Sequence, residues 1–360
     1  MGMGEYQQSL DCMNEAVNLS KKIKIDAVMP GREYAVSCVN EIAKKLNLPR
    51  LGDTAAKCLT NKFELRKKGE EIGIPQPLYQ KISSLTELES AKMQFPYVLK
   101  PSNRQASVGV VKVKKTSEIK ETWNKTINAS EKGVLVTDRS FNWEYQIEEF
   151  LEGYEISVET FVRKGEVVFQ NVTNKITTSS DYFVELGHTV PATINEETRE
   201  RLIELKKYLA KGLEVSDGIL HSEWIVTKEG PKLIECAGRA PGDNITDLIS
   251  EAYHFNFFEA YLSILIGKDD TDITHHAKFW AAIRFFNPGS GELKYVKGLD
   301  FLKKLPNIIK YDISVEPGQK LSEITSSWDR IGFYMVQGDS VNEVEEIIKK
   351  IEKNIQFKLV

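Results

Sequence analysis

The sequence predicts a mixed chain, α/β at its start and α+β further on, spread over two or three domains. Three observations carry this. The opening reads as helix, short strand, helix; strands dominate from the eighties onward; and a long helix with an acidic start and a basic end separates two strand-rich regions. With 360 residues, 41% hydrophobic and 28% charged, the chain can bury a sizeable core.

Taken in order, Glu5 to Lys24 carry helical spacing, "IDAVMP" is a short apolar strand, and "REYAVSCVNEIAKKLNLP" is an amphipathic helix ended by Pro49. "NKFELRKKGEEIGIP" is a short helix stopped by Gly73 and Pro75. The strands "YVLK", "VGVVKVKK", "YQIEEFL" and "EISVETFVRKGEVVFQNVT" follow, the last with its own hairpin turn at Lys164-Gly165. "NEETRERLIELKKYLAKGL" is the long helix. "HSEWIVTKEGPKLIECAGR" is a hairpin, "NITDLISEAYHFNFFEAYLSILIG" one mostly apolar helix, and Ala277 to Val360 alternates strands with the helix "VNEVEEIIKKIEKNI".

A formal net charge of -4 argues against a nucleic-acid surface, which normally shows a basic domain or stripe. Cys12, Cys38, Cys58 and Cys236 form no CxxC pair, so neither a zinc knuckle nor a disulfide framework is expected, and a reducing cytosol fits. The start lacks a signal-peptide pattern, and the most apolar stretch, "FWAAIRFF", is too short to span a bilayer. The expectation is a cytoplasmic chain with no membrane and no nucleic-acid partner.

The hairpin raises the chemical question. A three-residue loop Lys228-Glu229-Gly230 puts Gly at the left-handed position and pairs Thr227 with Pro231, Ile225 with Leu233, and Glu223 with Glu235. Directly opposite side chains stand roughly 5 Å apart at Cβ, where like charges destabilise. Alternation gathers His221, Glu223, Glu235, Ala237 and Arg239 on one face and Trp224, Val226 and Ile234 on the other. The carboxylates share a proton, meet a cation, or simply reach water.

Two further stretches bear on this. In "FPYVLKPSNRQASVGVVKV", Lys100 closes an apolar strand, so its stem snorkels to solvent or its ammonium meets an anion. The loop Pro101 to Val108 and the following Gly109 offer small and polar residues, Ser102, Asn103, Ala106 and Ser107, whose N–H groups can fold over phosphate oxygens; a plain hairpin is the alternative. In "YQIEEFLEGYEISVE", Glu148, Glu149 and Glu155 surround the strand end at Phe150 and Leu151. They are either surface acid or a hinge, with backbone groups beside Leu151 meeting an adenine edge and Glu155 taking ribose hydroxyls.

Lysine, loop, acidic hinge, then paired carboxylates near an arginine is an ordered pattern, and with it the chain resembles the ATP-grasp carboxylate-amine ligases. The closest branch is that of the bacterial L-amino acid (dipeptide) ligases, and the similarity runs from about Asp26 onward. The resemblance implies an ATP-grasp fold with a partial Rossmann-like N-terminal domain over 1–78, an ATP-grasp domain over 79–272, and a C-terminal α+β domain over 273–360. It implies ATP and Mg²⁺, with Mn²⁺ as an alternative ion. Lys62 and Lys100 would reach the phosphates beside the Ser107 loop, Glu148 the base amine, Phe150 and Leu151 the adenine by their backbone, and Glu155 the ribose. Glu223 and Glu235 would hold the metal, Arg239 the reacting acyl group, and His188 in "ELGHTVPA" the substrate side.

Two departures from the family pattern stand out. The position two residues after Glu235 is Ala237 where the family often has Asn, and the chain begins at a helix, as if about 30 residues of strand and helix were absent. An unpaired sheet edge is expected there. The implied reaction is phosphorylation of a carboxylate followed by attack of an amine, giving a dipeptide or related amide from small-molecule substrates. An ATP-grasp ligase of another carboxylate and a catalytically weak nucleotide-binding protein stay open. The plain readings are a salt bridge from Arg239 to Glu235, a loop role for His188, and an Asp243 cap on the helix after "APGDN", whose N–H groups could otherwise hold a substrate carboxylate. His221 is expected as a hydrogen-bond partner rather than a metal ligand, since hard Mg²⁺ prefers oxygen. "FFEAYLSILIG" and the open edge are compatible with a homodimer.

Overall fold

The computed structural model describes residues 11–105, 107–129, 143–178, 182–268 and 273–360. The first part is helical: α1 (Asp11–Ser20), α2 (Val36–Lys45), α3 (Asp53–Cys58) and α4 (Lys62–Glu71). The segment Ile25 to Pro30, expected as a strand, belongs to no strand, so among the described residues no sheet edge opens there. α2 ends at Lys45, four residues before the proline expected to stop it, and α3 was not anticipated.

A small lobe follows. β1 (Tyr79–Ile82), α5 (Leu85–Ser90), β2 (Tyr97–Pro101), β3 (Val111–Val113), α6 (Ile119–Ile127) and β4 (Tyr145–Glu149) build a sheet of order β1-β4-β2-β3. Its apolar face, with Ile82, Tyr97, Leu99, Val113 and Ile147, packs on Leu88, Ile119 and Trp123. Its other face presents Lys100 and Glu148 to the cleft.

The larger sheet contains β5 (Tyr154–Arg163), β6 (Glu166–Thr177), β7 (Glu185–Val190), β8 (Gly218–Thr227) and β9 (Gly230–Ala237), with α7 (Glu196–Gly212) across one face. The turn between β5 and β6 is the expected Lys164-Gly165, and both residues have positive φ, as a two-residue hairpin loop requires. The single helix expected after the hairpin is two, α8 (Ile245–Tyr253) and α9 (Phe257–Leu265). His254 turns left-handed at φ 60 and Asn256 caps the second through Glu259 N.

The remaining elements are β10 (Trp280–Phe285), β11 (Gly291–Lys297), α10 (Leu299–Lys304), β12 (Ile308–Ile313), β13 (Lys320–Leu321), β14 (Gly332–Gly338), α11 (Val341–Asn354) and β15 (Gln356–Leu359). β10 pairs with β7 as well as β14, so the large sheet runs β12-β14-β10-β7-β6-β5-β8-β9. The C-terminal segment thus shares its principal sheet with the middle of the chain; β13, β11 and β15 form a separate small one. Among the described residues, no helix is long and apolar enough to cross a membrane.

Candidate active site

Two cavities, of about 690 and 620 Å³, meet along the β8–β9 hairpin. Ser107, Lys175, Glu185, Glu223 and Glu235 border both. Lys62, Lys100, Glu148, Phe150, Leu151 and Glu155 line the smaller, toward the four-stranded sheet, and His188 and Arg239 line the larger. All eleven candidate residues therefore border one cleft.

The hairpin register brings Glu223 opposite Glu235, by a route the alternation argument did not foresee. Thr227 pairs with Gly230, Ile225 with Lys232 and Trp224 with Leu233, one residue off the expected ladder. A bulge at Ile234 absorbs the offset. Ile234 consequently borders the cleft with Glu235 instead of joining Trp224 and Val226 in the core.

Each carboxylate meets a buried lysine. Lys62 Nζ lies 2.8 Å from Glu235 Oε1 and donates to Arg104 O at 2.6 Å. Burial works against its charge, but Glu235 and Glu33 outweigh burial and raise its pKa. Lys175 Nζ lies 2.7 Å from Glu223 Oε1, 2.5 Å from Glu155 and 3.3 Å from Glu185, and these carboxylates likewise hold it charged against burial. Burial, opposed by Lys175 and reinforced by Glu223 and Glu185, pushes the Glu155 carboxyl up to about 7. Glu155 is thus engaged by Lys175 at the cavity wall.

Deeper in the smaller cavity, Lys100 Nζ meets Glu148 Oε2 at 2.7 Å, so its ammonium does find an anion. Burial together with Arg66 lowers its pKa, against the pull of Glu148. Arg66, fully buried, donates to both Glu148 oxygens at 2.8 and 3.2 Å and to Ile234 O at 2.6 Å. Burial opposes the Glu148 charge, yet Arg66 and Lys100 hold its carboxyl at about 2. The Glu148 carboxylate is an anchor for two cations here. Lys112 sits 3.4 Å from the Phe150 ring centroid at the cavity wall.

In the larger cavity, His188 stands on β7 rather than in a loop, buried, with Nε2 3.1 Å from Asp243. Asp243 also takes a bidentate pair from Arg330 at 2.7 and 2.6 Å. It caps nothing: α8 starts after a left-handed Asn244 with no side-chain cap. Arg239 pairs with Glu33 at 3.1 Å and with Ala240 O at 3.0 Å, not with Glu235. His221 joins Glu223 at 3.3 Å through Nε2, and Glu159 at 3.0 Å through Nδ1.

Sequence reasoning missed Lys175, Glu185, Arg66, Glu33 and Arg330. Lys175 stands in the mixed stretch Thr173-Asn174-Lys175-Ile176-Thr177, which lacks the apolar run that singled out Lys100. Arg66 sits in a run of charged helix residues and Arg330 in a polar connection, where nothing distinguishes an inward side chain from a solvated one.

The donor set fits a magnesium–nucleotide. Glu223 and Glu235 offer oxygen ligands on the shared wall, partly exposed at 19% and 27%, and Mg²⁺ commonly takes one or two carboxylates with phosphate and water completing the shell. Ala237 borders the larger cavity and adds no donor.

Fold and site together define a nucleotide-grasping ligase, with two lobes closing on a cleft of lysines and paired glutamates. Residues 93–247 match the family model for the ATP-grasp domain, and 284–360 that for L-amino acid ligase C-terminal domain 2. The chain carries an ATP-grasp domain and is similar to ATP-grasp ligases. It is 24% identical over 279 residues to an alanine--anticapsin ligase of Bacillus subtilis, which covers 73% of this chain and 58% of that protein. The crystal structure of an L-amino acid ligase from Bacillus licheniformis superposes with a TM-score of 0.81 at 21% identity, covering 98% of this chain and 86% of that one. The biotin carboxylase domain of Hydrogenobacter thermophilus 2-oxoglutarate carboxylase, solved with MgADP and bicarbonate, gives a TM-score of 0.69 at 13% identity, covering 99% and 80%.

Proposed function

We propose that this chain is an ATP-dependent carboxylate–amine ligase that joins amino acids through an acyl phosphate, releasing ADP and phosphate. The observation that carries the reading is the pair Glu223 and Glu235, opposite each other where the two cavities meet and each faced by a buried lysine. The smaller cavity is assigned to ATP, with adenine between Phe150, Leu151 and Lys112 and phosphates toward Ser107, Lys62 and Lys100. The larger takes the substrates. Magnesium held by Glu223 and Glu235 would supply charge neutralisation at the phosphates.

In phosphoryl transfer, Lys62 and Lys175 are fixed cations beside the oxygens that gain charge, in a site needing little reorganisation. Arg239, held by Glu33 and the Ala240 carbonyl, then faces the acyl group and donates to the tetrahedral oxyanion when the amine attacks. His188, turned by Asp243, contacts the substrate side. The proposed division remains 1–78, 79–272 and 273–360, with the last two sharing a sheet.

ADP release measured with single amino acids, with pairs and with none tests the reading. Pair-dependent ADP with a matching yield of amide is expected. Dependence on a different single carboxylate points to another ligase, and silence with intact ATP binding to a nucleotide-binding protein. Arg239→Met should keep ADP release at a reduced rate while amide falls about a hundred- to a thousandfold, the usual cost of one oxyanion donor. If ADP and amide fall together, Arg239 serves phosphoryl transfer or structure instead.

A further inference from the structure

Behind the paired glutamates lies a buried carboxylate that touches neither cavity. Glu159, on β5, has no exposed surface. Its Oε1 accepts from Ser157 Oγ at 2.6 Å and meets His221 Nδ1 at 3.0 Å. Its Oε2 accepts from Asn171 Nδ2 at 2.8 Å and Thr173 Oγ1 at 2.7 Å. These donors stand on β5, β6 and β8, and Asn171 is fixed in turn by Tyr253 on α8, whose hydroxyl lies 3.1 Å from its Oδ1.

A buried carboxylate costs several kcal/mol of desolvation that an apolar residue would not. What it fixes is a ring. With Nδ1 bound to Glu159, the His221 imidazole has one orientation, and that orientation brings Nε2 to 3.3 Å from Glu223 Oε1. Glu223 needs the restraint, because Lys175 draws the same oxygen at 2.7 Å from the cleft side. Without a second contact, the carboxylate is free to follow the lysine.

We propose that Glu159 is a positioning residue that acts through His221 to hold the Glu223 carboxylate where it meets the metal–nucleotide. The inference rests on the reading of Glu223 as a metal ligand. Partners of this kind, one bond removed from a ligand, typically change metal affinity ten- to a hundredfold when replaced.

The test uses Mn²⁺ titrated into the full chain saturated with ADP, followed by the electron paramagnetic resonance signal of free Mn²⁺, with thermal melting recorded alongside. Glu159→Gln should weaken Mn²⁺ binding about ten- to a hundredfold, His221→Asn by a similar factor, and the double variant no further, because both act through one contact. Factors that multiply in the double variant would mean Glu159 acts independently of His221 and overturn the proposal. So would unchanged Mn²⁺ affinity in Glu159→Gln. If that variant does not fold, Ser157→Ala, which removes one donor from the oxygen His221 meets, should weaken Mn²⁺ binding by a smaller factor, and no change there overturns it. Glu223→Gln is the reference: if it binds Mn²⁺ as the parent does, the ligand reading and this one fall together. A loss in Glu223→Gln with none in Glu159→Gln overturns this one alone.

Discussion

Glu148 is shared by two buried cations, since Arg66 and Lys100 both lose their counter-ion without it. Removing one partner of a buried pair costs about 3–5 kcal/mol, because the remaining charge stays desolvated. Glu148→Gln should therefore lower unfolding stability by that order at pH 7, measured by urea denaturation. The pH dependence follows from the direction of the shift. A carboxyl held at about 2, below its ordinary 4.5, contributes fully above pH 4.5 and loses that contribution as pH falls toward 2. The gap between parent and variant should close over that window, and a gap that stays constant would remove Glu148 as its cause. At this scale Lys100 was legible and its partner was not. An apolar strand ending in lysine advertises an unmet charge, but whether the anion is a ligand phosphate or Glu148 depends on β4 lying beside β2, which alternation within one strand does not encode.

Among the elements, the β8–β9 hairpin shows what alternation can and cannot specify. The facing glutamates were read from a ladder one residue out near the turn, and the pairing holds because a bulge cancels that offset. The Ile234 bulge was not, because nothing in Leu-Ile-Glu distinguishes an extra residue from a paired one. Its effect is functional: the bulge turns Ile234 into the cleft and leaves its carbonyl to accept from Arg66. The loop itself makes a separable prediction. Gly230 has φ +108, and no atom lies within 4 Å of where a Cβ would stand, so Gly230→Ala meets backbone strain alone. Stability should fall by about 1–3 kcal/mol. Nucleotide affinity, read by calorimetry, should be unchanged, since Gly230 borders neither cavity. Weakened nucleotide binding in a folded variant would show that the turn, and not only the bulge, sets the glutamate register.

Across the whole molecule, the boundary expected near residue 273 does not divide the sheet, because β10 completes the ladder between β7 and β14. Sequence order suggested a separate α+β unit, and long-range pairing leaves no mark in composition. The shared sheet brings the connection before β14 over the larger cavity, where Ser327, Trp328 and Arg330 line the wall. Arg330 fastens it: its guanidinium stacks 3.8 Å from the Phe285 ring centroid, donates to Ser327 O at 3.0 Å and grips Asp243 with both terminal nitrogens. Asp243 in turn holds His188, so one arginine bears on both the roof of the cavity and the tilt of the His188 ring that lines it. Arg330→Met keeps an apolar stem beside Phe285 but loses the guanidinium, its stacking and its fork. In the proposed ligase, phosphorylation of the carboxylate should persist, because Arg330 does not border the smaller cavity and the glutamates and lysines there are untouched. Amine capture should suffer, since a loosened roof admits water and displaces the second substrate; misplacement of about 1 Å costs on the order of a hundredfold. The expected outcome is unchanged ATP affinity with a ratio of ADP to amide raised about tenfold or more, the excess appearing as hydrolysed acyl phosphate. A ratio equal to the parent's, with normal KM for both substrates, would mean that the Arg330–Asp243 pair braces the fold without taking part in closing the cavity.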